Sequence, residues 1–198
     1  MIRVKNELKL KKTEISAIER HPVPVLGVDY RVKIIYKNIK IAELDVENTT
    51  IKISLPNKYK KCDNKQILDM AIDKMYEQIA RVEIENAMEK MRVMLGFAPE
   101  DYQIRKVKNG FGKCENGRIT IDPEVVKYNR GFIEYVVLHE YCHLKYKNHC
   151  RGFYEMVARY MPEYEMYEGT LKWYFYKVLI FSTKYIIIVL DAFLEISS

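Results

Sequence analysis

The chain has 198 residues, 48% apolar and 30% charged, a balance that excludes a disordered or fibrous protein and leaves enough length to bury a core without disulfides. Its net charge of +6 is scattered over short runs (residues 9–12, 58–61 and 105–108) with acids between them, so no block reaches the length of a nucleic-acid-binding arm. The four cysteines, Cys62, Cys114, Cys142 and Cys150, form no CxxC pair, which argues against a disulfide scaffold and for free thiols in a reducing, cytoplasmic compartment.

The first twelve residues, MIRVKNELKLKK, are basic with no apolar stretch behind them, so no secretory signal is expected. His21, in the run HPVP, reads as an ordinary loop residue. Residues 30–36 (YRVKIIY), 39–46 and 50–55 are rich in β-branched side chains. Lys37-Asn38 reads as a turn between the first two runs, and Pro56 closes the third. A small antiparallel meander is the expectation.

Asp63 can cap a helix, with Gln66 three residues on as in a capping box. From residue 67 to 95 there is neither Gly nor Pro, and Leu68, Ile72, Met75, Ile79 and Val82 mark one apolar stripe. Gly96 and Pro99 end that long helix. The methionines along it (Met70, Met75, Met88, Met91 and Met94) read as core filler.

Residues 103–108 read as a strand. Residues 111–114 and 118–121 flank Glu115-Asn116-Gly117, a strong hairpin signal. Asp122-Pro123 reads as a cap and first residue of a short helix. A second helix is predicted from about 132 to 146, with Ile133, Val136, Val137 and Leu144 toward the core. A third covers 152–161, with Phe153, Val157 and Tyr160 as its stripe and Pro162 as its stop.

The second helix carries HEYCHLKYKNH, and three of the four histidines of the chain fall in those eleven residues. His139 and His143 are four apart, about 400° of rotation, so both rings leave one helix face a turn apart. Two imidazoles so placed can share a cation at about 2.0–2.1 Å, and Glu140, about 100° away, can reach a water beside it without being a ligand. This is the HExxH arrangement of zinc peptidases. His149 is the natural third ligand, but six residues on is about 600°, the wrong face. The helix must therefore stop first, predicted at about Tyr146, with the chain turning back through Asn148, the residue there best able to adopt a left-handed conformation. Cys150 is an alternative ligand next to His149, Cys142 reads as packing, and Tyr146 is a weak candidate for assisting the reaction.

Residues 173–194, WYFYKVLIFSTKYIIIVLDAFL, are strongly apolar. Lys177, Lys184 and Asp191 interrupt them, so no uncharged run reaches the roughly 18 residues of a membrane span. A buried or partner-covered tail is expected, and membrane association of this tail stays open. The expected organisation is one domain over residues 1–172, strand-rich to 62 and helical from 63, followed by a tail at 173–198 with no assigned role.

Taken together, Ile104-Arg105, Phe111-Gly112-Lys113-Cys114, residues 118–122, the run from Tyr135 to Leu144, His149, Phe153-Tyr154 and Pro162 resemble the YgjP-like metallopeptidase domain, a relative of the SprT-like zinc peptidases. The likeness is close over residues 102–164 and looser before. Phe111, Lys113, Asp122, Tyr141 and Tyr154 depart from the family pattern, and none is a proposed ligand. The resemblance implies an α+β, zincin-like metallopeptidase fold. It also implies one Zn2+ per chain on His139, His143 and His149, Glu140 as catalytic base, and a peptide or protein substrate. Two alternatives remain: a protease acting on DNA-bound proteins, which the charge permits but no motif supports, and a non-enzymatic module with a structural metal.

Overall fold

A computed structural model describes residues 22–62 and 64–172. They divide into two units, one holding residues up to Tyr76 together with Lys127–Asn129, the other Glu77–Val126 and the residues from Arg130 onward. Asp63, His21 and the apolar tail lie outside the described residues. No helix among the described residues is long and apolar enough to cross a membrane.

In the first unit four strands, β1 (Val23–Val25), β2 (Val28–Lys37), β3 (Glu43–Glu47) and β4 (Thr50–Pro56), form a sheet in the order β1-β2-β4-β3. The expected meander is wrong. β2 and β4 run parallel in the centre, Ile34 opposite Ile53, while β3 lies antiparallel on the outer side of β4. The reason is burial. Val32, Ile34, Ile51, Ile53 and Leu55 are all buried, and the two strands richest in β-branched side chains gain most by packing side by side. β3, the acidic run ELDVE, is exposed at every position and suits an edge. Residues 38–42 are a connection, not strand or hairpin turn. The β1–β2 hairpin escaped the sequence reading. Its turn residues Leu26 and Gly27 both have positive φ (50° and 81°), as a type I′ turn requires; only the glycine is an obvious signal.

A helix of 32 residues, α1 (Asn64–Leu95), spans the run without breakers. It ends at Gly96, whose φ of 73° is left-handed and whose N–H donates to the Arg92 carbonyl at 3.1 Å. Leu68 and Met75 are buried as predicted, but Val82 is 58% exposed; farther along, the buried positions are Ala80, Ile84, Ala87, Met88 and Met91. The stripe read from the sequence drifted because it followed the larger side chains, whereas two alanines lie on the buried face. Met75, Met88 and Met91 are core filler as expected, whereas Met70 and Met94 are exposed.

The second unit holds a three-stranded sheet, β5 (Asp101–Ile104), β6 (Gly112–Glu115) and β7 (Arg118–Ile121), in the order β5-β7-β6. The β6–β7 hairpin turns at Asn116-Gly117 as predicted, both with positive φ. β5 lies two residues earlier than predicted and stops at Ile104, opposite Ile121, where β7 ends. Beyond that point Asp122 takes over: its buried carboxylate accepts from the N–H groups of Val107 (2.7 Å) and Glu124 (2.8 Å). Asp122 is thus the cap expected of it, but for a 3-10 turn (Pro123–Lys127) and a neighbouring loop at once.

Three helices complete the unit: α2 (Arg130–His143), α3 (Arg151–Tyr160) and α4 (residues 165–172). Nine of the fourteen residues of α2 are buried, Glu140 among them. The fold is mixed α+β, with the HExxH run at the end of its most buried helix.

Candidate metal centre

α2 presents its last two turns to one wall of a cleft, and both site histidines lie there. The helix stops at His143, three residues earlier than predicted. Leu144 and Lys145 form a tight turn, and the Tyr146 N–H still bonds the Cys142 carbonyl at 2.9 Å. Leu144, expected on the core face of the helix, therefore lies just past its end and lines the cleft. Asn148 does not adopt the left-handed conformation; the chain bends back at Lys147 and Asn148, with the Cys150 N–H donating to the Asn148 carbonyl at 2.8 Å. The early stop removes the need for a left-handed residue, because five residues of loop suffice to reverse direction.

The consequence is convergence. His143 Nε2 lies 3.2 Å and His149 Nε2 3.0 Å from His139 Nε2. Among the described residues these three form the group able to hold a metal ion, and no cysteine or carboxylate belongs to it. Cys150 is exposed and is not a fourth member. Tetrahedral ligands at 2.0–2.1 Å from one zinc are about 3.3 Å apart, so the observed spacing fits a single cation.

The rings are oriented by different means. His143 Nδ1–H donates to the Tyr146 carbonyl at 2.9 Å, a tautomer that leaves the Nε2 lone pair facing its neighbours. This backbone oxygen is the part that Tyr146 plays; its phenol does not line the cleft. His139 Nδ1 is buried with no protein partner, so packing sets that ring. Phe153 does most of it, with its ring 4.8–4.9 Å from all three imidazoles. The sequence reading placed Phe153 in a core stripe and missed that this core residue is also the floor of the site. Burial, then the two neighbouring rings, pushes the His139 pKa down to about 3, which keeps it in the neutral form that binds metals.

Glu140 is 6% exposed, stands outside the histidine group, and its carboxyl is pushed up to about 8 by burial. It lines, with the three histidines, a cleft of about 960 Å3 whose opposite wall is β6 and its turn. Lys113 and Glu115 on that wall pair with each other (2.6 Å), as do Lys172 and Glu168 (3.0 Å), one turn apart on α4. Glu168 also accepts from the Tyr154 hydroxyl at 3.1 Å.

The thiols differ in kind. Burial pushes Cys142 up to about 12 and Cys114 up to about 11, whereas Cys62 and Cys150 are exposed. Iodoacetamide at neutral pH should therefore alkylate Cys62 and Cys150 within minutes and leave Cys142 untouched in the folded protein. Peptide mass spectrometry reads the order, and early labelling of Cys142 would contradict its place in the core.

Compared with known proteins, the chain matches the family described as YgjP-like, metallopeptidase domain, over residues 2–174. No curated protein matches it. Among solved structures it is similar to the crystal structure of the metallopeptidase zymogen of Pyrococcus abyssi abylysin, at 26% identity over 44% of this chain and 90% of that one, with a TM-score of 0.40.

Proposed function

The chain belongs to the YgjP-like metallopeptidase family, and from that premise we propose that it is a zinc-dependent peptidase with His139, His143 and His149 as ligands and Glu140 as general base. The observation that carries the reading is the convergence of three imidazole nitrogens beside a buried carboxylate that is not one of them. Three ligands leave one coordination position free for chemistry, and a fourth protein ligand would point instead to a structural site.

Bound there, zinc supplies Lewis acidity that polarises a peptide carbonyl and makes water a nucleophile near neutral pH. The protein does the rest. Burial opposes the ionised form of Glu140 and a cation held by the three histidines favours it; ionised, Glu140 can hold a water, take its proton and hand that proton to the amine as the peptide bond breaks. Tyr146, through its carbonyl, keeps His143 in the ligating tautomer. β6 is the sheet edge on the cleft side, and an extended substrate can hydrogen-bond to it as an added strand, fixing the scissile bond over Glu140.

Chelation tests the proposal. Peptide-library cleavage by the purified protein should fall to background after metal removal and return on adding one equivalent of zinc. Cleavage that persists in metal-free protein, or metal-loaded protein that cuts nothing, would reject it.

A further inference from the structure

Gly112 is the first residue of β6, and its backbone gives no reason for a glycine: it is extended and has no positive φ. Alanine, let alone a β-branched residue, would suit a strand better. The reason lies in front of it. A Cβ built on Gly112 would stand 2.4 Å from Glu140 Oε1, 2.7 Å from its Cγ and 2.8 Å from its Cδ. All three distances are inside van der Waals contact.

The clash has no easy relief. Rotating the carboxylate would free Oε1 but not Cγ, so the whole side chain would have to leave its rotamer. Nor can the strand retreat. Phe111, next to Gly112, is buried edge-on against Phe132 of α2 at 5.5 Å, and its carbonyl accepts the Asp122 N–H at 2.8 Å. The helix under Glu140 is fixed as well, since the Tyr141 hydroxyl donates to the Met88 carbonyl of α1.

We infer that Gly112 is a positioning residue for the catalytic carboxylate: the missing side chain is the slot that sets the Glu140 rotamer over the metal centre. This rests on the peptidase reading above for its functional half. The steric half stands without it. The three atoms nearest a Cβ at Gly112 all belong to Glu140, so filling the slot should displace the base and spare the metal.

The test is a two-by-two set of variants, Gly112→Ala in the parent and in Glu140→Ala. In the parent, Gly112→Ala should lower Tm by a few degrees. In Glu140→Ala the new methyl enters vacated space, and the same change should leave Tm unchanged or raise it. An equal Tm decrease in both backgrounds would overturn the inference, because the glycine would then serve the strand and not the carboxylate. On the zinc-loaded protein, Gly112→Ala should keep one equivalent of metal and lose at least tenfold in kcat with KM within about threefold. A rise in KM at unchanged kcat would also overturn it, since that would place Gly112 in substrate pairing. The melting comparison needs no substrate, so its outcome is independent of whether the protein proves to be a peptidase.

Discussion

Glu140→Gln should retain a full equivalent of zinc while kcat/KM for peptide cleavage falls by about 10²–10⁴-fold, the range that a positioned general base contributes. The amide has nearly the same shape as the carboxylate and fills the same slot, but it cannot take a proton. Because Glu140 lies outside the histidine group, metal content should not respond. Nor should the fold weaken, since burial holds the Glu140 carboxyl up at about 8, so near neutral pH the metal-free side chain is already largely uncharged and the amide replaces it at nearly the same shape. Stopped-time cleavage assays and elemental analysis on the same preparation measure both sides. Full activity in this variant would remove Glu140 from the mechanism, and loss of metal would make it a ligand.

His149→Ala separates the third ligand from the other two. His139 and His143 keep their places because a helix carries them. The ring of His149 comes from the loop after α2 and meets them only through the turn at residues 144–150. Its removal should weaken metal binding by more than the roughly 10–100-fold typical of losing a mere supporting partner of a ligand, and hydrolysis at stoichiometric zinc should vanish. The metal-free protein should melt at nearly the parental temperature, because His149 is exposed and its truncation opens no core cavity. Competition with a chromogenic chelator gives the affinity. A variant that still holds one tightly bound equivalent would remove His149 from the ligand set.

Glu140→Gln also separates an enzyme from a structural metal module. Metal bound to the native state raises the melting temperature in either case, so the discriminating result is the loss of peptide cleavage in Glu140→Gln at full metal content, which a structural metal does not give.

The sequence carried the site farther than it carried the scaffold. Helical spacing alone put His139 and His143 on one face and Glu140 beside them, because 3.6 residues per turn is a local property of the backbone. It also required the helix to end before His149. The hairpin at Asn116-Gly117 and the helix stop at Gly96 were legible for the same reason: positive φ is a demand that one or two residues meet by themselves.

What the sequence left undecided was which distant elements meet. The parallel pairing of β2 with β4 could not be read from neighbours in the chain, since it follows from which strands can bury both faces. The burial of Ala80 and Ala87 in place of Val82 depends on what packs against α1. Phe153 under the His139 imidazole and Gly112 against Glu140 are contacts across 14 and 28 residues of chain. No periodicity encodes them; close packing in the folded core does. Local backbone geometry thus fixed which groups could do the chemistry, and tertiary packing decided how they are held.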